Sequence, residues 1–290
     1  MAGQAPVFFR DMTEADLADG LRLSRASGWN QTGEDWRLLL SLGRGLFRVA
    51  VEEGRIVASG GAARYGSALA WICMILVDPA RRGQGLGTRI FDDLLERVRL
   101  SAECEGLQVI GLDATPAGRG IYTQRGFQDG PALVRMCVDA RASADPAADV
   151  RALVAADIAA ILEWDRAVFG ADRSPVLRWA LARAPGLARV VRRDGQLRGY
   201  CFGRHGDHSD HLGPVVADDA ATARELVAAC LVRPLVRPLI LDARVEPAWL
   251  ARLAGLGFRE QRPFTRMYLG AARPAARPEL EHAVCGPELG

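Results

Sequence analysis

Apolar and polar positions follow two different periods within the first 140 residues of the chain. Three apolar runs separated by glycine-containing turns predict an antiparallel meander of strands. These runs cover residues 47–51, 56–63 and 69–77. Directly after them, Ile90, Leu94 and Val98 fall on one stripe with a helical period, which predicts an amphipathic helix over 86–100.

The flanking segments complete a mixed α/β unit. Polar residues at helix starts, such as Thr13 with its capping-box pattern, mark where the remaining helices begin. The other predicted elements are a strand at 7–10, helices from Thr13 and from near Thr32, a buried strand at 107–112, a short helix at 116–125 and a closing strand pair that ends near Val138. The predicted fold class is therefore α/β, with a central mixed sheet flanked by helices.

The same order of short motifs occurs twice along the chain. Gly45 lies nine residues before Gly54, and Gly186 lies nine residues before Gly195, with an apolar run in each interval. Three later motifs also recur in the same order. Leu112-Asp113-Ala114 recurs as Leu241-Asp242-Ala243, Gly126-Phe127 as Gly257-Phe258, and Arg135-Met136 as Arg266-Met267. This repeat predicts two tandem domains. We place a first half at 1–140, a Pro/Ala-rich linker at 141–148 and a second half at 149–290.

Composition narrows the classes of partner that the chain can have. It has 290 residues, with 49% hydrophobic and 25% charged, and its 37 basic residues nearly balance 35 acidic ones. A balanced charge provides no general field for nucleic acid or an anionic membrane. Because no long apolar stretch and no signal-peptide pattern occur, we predict a cytoplasmic protein without a membrane partner.

The reactive residue types exclude several chemistries. All of the basic residues are arginine, so a lysine Schiff base or lysine base is excluded. The six cysteines are scattered without a Cys-x-x-Cys pair, which indicates reduced core residues. His205, His208 and His211 lie close enough in sequence to suggest a metal, but the glycines around them predict a hairpin turn, and a solvated loop or a substrate-pocket wall is the preferred interpretation. We predict no metal site.

The sharpest local signal is a glycine-rich loop between the last meander strand and the amphipathic helix. Gly83, Gly85 and Gly87 alternate there, which lets the backbone turn tightly and present its N–H groups next to the positive end of the helix dipole. Arg82 can add a charge-assisted hydrogen bond. The loop predicts a phosphate or pyrophosphate site, and the alternative is a glycine-rich turn that only permits close packing of helix on sheet.

Two motifs at separate places resemble one family. The segment Arg82-Gly83-Gln84-Gly85-Leu86-Gly87 matches the Arg/Gln-x-x-Gly-x-Gly/Ala signature of the GNAT superfamily of acyl-CoA-dependent N-acyltransferases. The segment from Asp113 to Phe127 resembles the second motif of that superfamily, with Tyr122 four residues before Gly126. The tandem arrangement and the final residues 286–290 further resemble a bacterial subgroup that carries a second, YitH-like acetyltransferase domain.

The resemblance implies acetyl-CoA as the cosubstrate. In such enzymes the strand before the loop splays from the next parallel strand, and the pantetheine arm pairs with its backbone like an added strand. On this chain the backbone contacts would come from Ile75, Leu76 and Val77, and the pyrophosphate contacts from Arg82, Gly83, Gln84, Gly85, Leu86, Gly87 and Thr88. An amine would attack the thioester directly, so no cysteine needs to act as a nucleophile.

Tyr122 is the residue that the resemblance assigns to catalysis. A phenol there would protonate or hydrogen-bond the departing CoA thiolate, and the alternative is a tyrosine that packs beside Phe127. Many relatives place a glutamate on the strand before the loop, but residues 69–76 contain no carboxylate. Proton removal would then run through water and backbone carbonyls, with Asp113 as the candidate base. Asp113 could instead fix the turn at Thr115-Pro116.

Acceptor selection in this family usually belongs to the segment between the first two helices, which is 27–36 here. Trp29 and Asn30 are the predicted acceptor-binding residues, within a lid for a small amine that also contains Trp36. The alternative is that Trp29 and Trp36 staple the helices together and that Thr32 is a helix cap.

The second half departs from both motifs. Its corresponding loop has lost the glycines and carries Asp218 and Asp219, and Leu253 stands where the first half has Tyr122. We therefore expect CoA to bind only in the first half, in an N-acetyltransferase that moves an acetyl group to a primary amine of a small molecule. The alternative is a non-catalytic acetyl-CoA sensor or interaction module. The sequence leaves a homodimer open.

Overall fold

The computed structural model describes residues 6–101, 106–139, 148–232, 235–270 and 276–290. They divide into two compact units. Unit 1 is formed by the chain up to Leu112 together with Leu289, and unit 2 by residues 113–288 together with Gly290. Each unit combines a sheet with helices, so the predicted α/β class is confirmed.

Unit 1 contains the meander and the glycine-rich loop. Its strands are β1 (Phe8–Asp11), β2 (Phe47–Glu52), β3 (Arg55–Tyr65), β4 (Leu69–Val77) and β5 (Val109–Ala114), and its helices are α1 (Leu17–Ala26), α2 (Gly33–Gly43) and α3 (Leu86–Leu100). Strands β1 to β4 pair antiparallel in the order β1-β2-β3-β4, and β5 pairs parallel with β4. The last two residues of β5, Asp113 and Ala114, belong to unit 2.

The predicted meander and amphipathic helix of unit 1 are confirmed. Both β4 and α3 span the residues expected for them. The turn between β2 and β3 has positive φ at Glu53 (49°) and Gly54 (77°), as a two-residue type I′ hairpin requires. The apolar stripe of α3 packs on the sheet, where Leu86 and Ile90 share a buried cluster with residues of β2 and β3.

Unit 2 contains the rest of the chain. Its strands are β6 (Gln128–Val138), β7 (Val150–Ala152), β8 (Arg189–Arg193), β9 (Gln196–His205), β10 (Asp210–Ala217), β11 (Leu239–Arg244), β12 (Arg259–Gly270) and β13 (Glu281–Val284). Its helices are α4 (Pro116–Thr123), α5 (Ile158–Phe169), α6 (Ser174–Arg183), α7 (Ala220–Cys230) and α8 (Pro247–Ala254). The strand order is β12-β6-β11-β13-β10-β9-β8-β7.

The predicted closing strand pair of the first half is wrong. Residues 128–138 form the single strand β6, which lies between β12 and β11 and pairs antiparallel with both. Both partners come from the second half of the sequence. The chain does not reverse direction within β6, and its pairing with β12 shows two register irregularities instead.

Two buried ion pairs show the same exchange between the halves. Asp113 and Arg135 repeat as Asp242 and Arg266, yet each aspartate pairs with the arginine of the other half. The Arg266 guanidinium donates to both carboxylate oxygens of Asp113 at 2.9 and 2.8 Å. Arg135 does the same for Asp242, at 2.8 Å for both bonds. The closing strands are therefore exchanged between the two repeats.

This exchange explains why the compact units differ from the halves of the sequence. Val134, Met136 and Val138 of β6 belong to the main hydrophobic core of unit 2. All of the predicted linker except residue 148 lies outside the described ranges. The division into 1–140 and 149–290 thus stays a prediction about the sequence repeat.

Candidate functional site

The glycine-rich loop of unit 1 leads directly into the N-terminus of α3. Gly83 and Gly85 have φ of 75° and 74°, a conformation that L side chains rarely adopt. Gly85 is the residue before the first helical residue, and it carries no side chain that could cap the helix. The first turn of α3 contains no acidic residue. Its backbone N–H groups therefore stay available to an external anion.

Arg82 stands at the entrance of this loop with an exposed guanidinium. Its Nε donates to the carbonyl of Val77 at 3.3 Å, and its Nη2 donates to Ser27 Oγ at 3.0 Å. The side chain is thus held between the end of β4 and the end of α1 while remaining solvent-accessible. Such a placement suits a charge-assisted contact with a phosphate.

Asp78 precedes the loop, and two arginines neutralise its charge. Arg22 and Arg55 each approach Asp78 Oδ2 at 2.9 Å. Burial works to raise the pKa of Asp78, but the hydrogen bond from Ala80 N–H and the two guanidiniums outweigh it and lower that pKa. The carboxylate therefore does not give the loop a net negative charge. Sequence reasoning missed Arg22 and Arg55, because nothing in their spacing links them to Asp78.

Strand β4 changes direction just before the loop. Met74 has φ of 55°, a strained value for a residue with a side chain, and Ser59 Oγ donates to its carbonyl at 3.0 Å. The parallel ladder with β5 ends at Trp71–Gly111. Residues 75–77 thus lie beyond the last β4–β5 pair, while Leu76 and Val77 remain paired with β3. The parallel pairing of β4 with β5 thus stops before the residues that the resemblance assigns to the pantetheine arm.

Tyr122 lies on α4 in unit 2. Its ring is 6.3 Å from that of Phe127, so it does pack against the residue that the alternative interpretation named. Burial also raises the pKa of Tyr122 to about 12. The phenol is therefore protonated across the physiological range and can act as a hydrogen-bond donor.

Asp113 is engaged by Arg266 through both carboxylate oxygens. Burial raises the pKa of Asp113, and Arg266 opposes that shift. To accept a proton from a substrate, this carboxylate would have to leave its guanidinium partner in a buried environment. The geometry therefore favours a structural ion pair over a general base. At the turn that Asp113 was alternatively expected to fix, Thr115-Pro116, the Thr115 side chain makes no capping hydrogen bond.

The predicted acceptor lid contains two structural residues. Trp36 is fully buried, and its Nε1 donates to Ser24 Oγ at 3.0 Å. Thr32 caps α2 in a reciprocal arrangement with Asp35. For Trp36 and Thr32 the staple and cap interpretation is therefore confirmed.

The other candidate residues of the same segment are Trp29, Asn30 and Gln31. Trp29 and Asn30 are half-buried between α1 and α2. Gln31, which sequence reasoning did not single out, is 6% exposed. Its Oε1 is buried and accepts no hydrogen bond within the described part of the chain. A buried carbonyl oxygen without a donor is energetically unfavourable, and an N–H donor from a ligand would satisfy it.

The equivalent loop of the second half differs in its electrostatics. Asp219 caps α7, and its carboxylate accepts the N–H of Thr222 at 2.7 Å. The Thr222 N–H hydrogen bond holds the pKa of Asp219 below its usual value. Leu253, at the position of Tyr122, is fully buried. In this half the helix N-terminus is already bound by a carboxylate of the chain.

The predicted hairpin turn between β9 and β10 contains His208, with His205 at the end of β9. For His211 the solvated-loop interpretation is wrong, because this residue lies in β10, is buried, and has its Nε2 3.0 Å from Asp242 Oδ2. His205 Nδ1 lies 2.9 Å from Asp210 Oδ1, and both residues are at the ends of their strands. Across the described ranges, no group of three or more metal-ligating side chains comes together. No helix among the described residues is long and apolar enough to span a membrane.

The chain matches two models of one family. Residues 43–129 and residues 161–280 each match a model described as an acetyltransferase (GNAT) domain. The first match includes the glycine-rich loop and Tyr122, and the second includes the Asp219 loop and Leu253. The two matches lie on either side of the predicted linker.

Known proteins with a similar sequence or structure are of the same kind. The chain is 26% identical over 225 residues to the uncharacterised N-acetyltransferase YitH of Bacillus subtilis (strain 168), covering 74% of each protein. It is 24% identical over 236 residues to holothin acyltransferase of Pseudoalteromonas sp. (strain SANK 73390), covering 81% of this chain and 78% of that protein. A crystal structure of an acetyltransferase candidate from Pyrococcus horikoshii superposes with a TM-score of 0.81 at 22% identity, over 100% of this chain and 98% of that one.

Proposed function

Because the chain belongs to the GNAT acetyltransferase family and is an acyl-CoA-dependent acyltransferase, we propose a specific activity for it. The protein transfers the acetyl group of acetyl-CoA to a primary amine of a small molecule by direct attack on the thioester. The cosubstrate binds in the first half alone. We propose an enzyme rather than a non-catalytic acetyl-CoA sensor, because the family is one of transferases.

The observation that carries the proposal is the open N-terminus of α3. A pyrophosphate there would accept hydrogen bonds from the first-turn N–H groups and interact favourably with the helix dipole. Arg82 would add a charge-assisted bond from the exposed side of the loop. The first turn contains no acidic residue, so no carboxylate of the turn itself competes for those donors.

The splayed end of β4 supplies the second part of the cosubstrate site. The ladder with β5 stops at Trp71–Gly111, so the backbone of Ile75, Leu76 and Val77 can pair with the amide groups of the pantetheine arm. The bulge at Met74 redirects this backbone relative to the first part of the strand. Pairing of this kind needs no particular side chain, which is consistent with an entirely apolar β4.

Tyr122 is proposed to serve the leaving sulfur. A phenol with a pKa of about 12 is a weaker acid than a typical thiol, whose pKa is about 8.5. Complete proton transfer to the thiolate would therefore be uphill. The phenol instead stabilises the thiolate by donating a hydrogen bond as the carbon–sulfur bond breaks.

The acceptor amine must lose a proton when it attacks, and no carboxylate of β4 can take it. We propose that water and backbone carbonyls carry this proton, because Asp113 is bonded to Arg266 through both oxygens. On the acceptor side, Gln31 joins Trp29 and Asn30. Its buried, unsatisfied Oε1 is suited to accept an N–H from the acceptor.

Calorimetric titration with acetyl-CoA tests the proposal, and we expect one molecule bound per chain. The variant Arg82→Glu should weaken binding by about 1.5 kcal/mol or more, roughly tenfold, because it replaces a charge-assisted contact with repulsion. Arg99→Glu is the matched control, since Arg99 is exposed in the last turn of the same helix. Its acetyl-CoA affinity should stay near that of the wild type.

Two results would contradict the proposal. Binding of two acetyl-CoA molecules with similar affinity would remove the restriction to the first half. An equal loss of affinity in Arg82→Glu and Arg99→Glu would show that the loop has no special role. Release of free CoA in the presence of a panel of primary amines then identifies the acceptor. The N-acetyl assignment would be overturned if the enzyme were inactive with every amine but active on hydroxyl acceptors.

A further inference from the structure

Strands β10 and β11 of the second half splay in the same way as β4 and β5 of the first half. Their parallel ladder is confined to Asp210–Leu239 and His211–Ile240. The pairing of β10 with β9 is also irregular between Leu212 and Val215, as the pairing of β4 with β3 is at its bulge. The two halves thus share the backbone geometry that the first half uses, on the proposed function, to receive a pantetheine arm.

The space between β10 and β11 is occupied by β13. This strand runs antiparallel to both neighbours, and Ala283 is paired on both sides, with Val215 of β10 and with Ala243 of β11. All four residues of β13 are buried. A Cβ atom on Gly213 would lie only 2.1 Å from the carbonyl oxygen of Val284. The backbone of β13 therefore lies in direct contact with β10, and no room remains for another extended chain.

Buried polar contacts hold β13 in place. Glu281 lies 3.1 Å from Arg173 Nη1, and Arg173 is itself paired with Asp165. The carbonyl of His282 accepts a hydrogen bond from Trp249 Nε1 at 2.9 Å. Because Arg173 and Glu281 are both almost fully buried, withdrawal of the strand would leave a charge without its partner in the interior. These contacts indicate a permanent element rather than a mobile strap.

We infer that β13 is the internal replacement for a pantetheine arm in the second half. It pairs with the backbone of the splayed strands as that arm would, and the Asp219 carboxylate accepts the Thr222 N–H of α7, a donor that a pyrophosphate would use. The second half is consequently held in the conformation of a ligand-bound domain whether or not acetyl-CoA is present. The inference rests on the proposed function only in identifying the splay of β4 and β5 as the cosubstrate site.

Amide hydrogen exchange of the full-length protein tests this inference. In the free protein we expect slow exchange in β10, β11 and β13, because their ladder is complete without a ligand. Saturating acetyl-CoA should leave those segments unchanged and should slow exchange at least tenfold over residues 75–88. Slower exchange of β10 and β11 on addition of acetyl-CoA would overturn the inference, since it would mean that the splay of the second half still admits the cosubstrate.

A proline substitution provides the complementary measurement. Ala283→Pro removes an N–H from a doubly paired position, so exchange in β10 and β11 should accelerate at least tenfold. Ala283→Ser keeps the N–H and is the matched control, for which no acceleration is expected. Unchanged amide exchange of β10 and β11 in a folded Ala283→Pro protein would contradict the inference. If that variant does not fold, the exchange measurement on the wild-type protein decides.

The same data separate this inference from the proposed function. If residues 75–88 do not respond to acetyl-CoA, the proposed cosubstrate site is wrong. The protection of β10, β11 and β13 in the free protein would still support the internal replacement, because that measurement does not involve acetyl-CoA.

Discussion

The N-termini of α3 and α7 follow splayed strands at equivalent places in the two halves, but the chain treats them in opposite ways. At α3 the residue before the helix is Gly85, in a left-handed conformation and without a capping side chain. At α7 it is Asp219, whose carboxylate accepts the N–H of Thr222. Beside α7, the strand β13 also fills the splay of β10 and β11.

If the second half binds no cosubstrate, as proposed, the comparison shows how a repeat can lose a ligand site without losing its fold. A helix N-terminus and a splayed pair of strands both expose backbone groups that need partners. In the first half a ligand is proposed to supply them. In the second half an aspartate and a strand of the same chain supply them, so the unit can remain stable with no cosubstrate bound.

The largest effect that would test this difference is expected at Tyr122, the proposed partner of the leaving sulfur. Tyr122→Phe should lower turnover by about 10²-fold while leaving acetyl-CoA affinity nearly unchanged, because the hydroxyl acts mainly as sulfur leaves. Steady-state rates and calorimetric titration on the same variant measure the two quantities. Leu253→Met, at the equivalent buried position of the second half, is the control and should keep normal turnover. A Tyr122→Phe enzyme with full activity would remove the leaving-group role.

A smaller but sharper effect is expected when the charge of the second loop is transferred to the first. Asn tolerates the left-handed backbone of residue 85 better than other side chains, so Gly85→Asn isolates the steric effect of a side chain there. Gly85→Asp has the same shape with a negative charge. It should bind acetyl-CoA more weakly than Gly85→Asn by at least ~1.4 kcal/mol, a factor of ten, because the carboxylate repels the pyrophosphate.

Titration calorimetry of both Gly85 variants provides the comparison. Equal affinities for the two would show that charge at the helix N-terminus is not what separates the halves. The difference would then lie in the backbone of the loop alone.

The smallest effect is expected from removing the cap of α7. Asp219→Ala should lower the free energy of unfolding by ~1 kcal/mol, a typical value for a lost N-cap, without changing acetyl-CoA binding. The Asp219 pKa is depressed in the folded protein. Its contribution is therefore present at neutral pH and is lost as pH falls through that depressed value, whereas Asp219→Asn keeps a cap that does not titrate.

Urea denaturation of the wild type and Asp219→Asn across acidic pH measures this contribution. The stability of the wild type relative to the variant should decline as the pH is lowered below about 4. A difference that stays constant with pH would indicate that the carboxylate does not interact with the α7 N-terminus in solution.

Much of the molecule could be predicted from local patterns. The bounds of β4 and α3 follow from apolar runs, a helical stripe and the glycines between them, all of which act within a few residues. The glycine-rich loop could be recognised for the same reason, since tight turns and exposed N–H groups depend on the residues of the loop itself. Arg82 and Gly85 therefore remain in the candidate site as proposals.

The residues that support the site could not be found in this way. Arg22 and Arg55 neutralise Asp78 from distant positions in the sequence, and any arginine of this chain could have done so on charge alone. Gln31 attracts attention only because its Oε1 is buried without a partner. Burial depends on tertiary packing, which a single sequence does not specify.

The sequence by itself determined the repeat, including an aspartate and an arginine at equivalent places in each half. Only the tertiary structure decided that Asp113 pairs with Arg266 and Asp242 with Arg135. Pairing within each half and pairing between the halves would neutralise the same charges. The choice between them depends on which closing strand completes which sheet. That choice follows from long-range packing of β6 into the core of unit 2. The insertion of β13 between β10 and β11 is decided in the same way, because backbone pairing is nearly independent of side-chain identity.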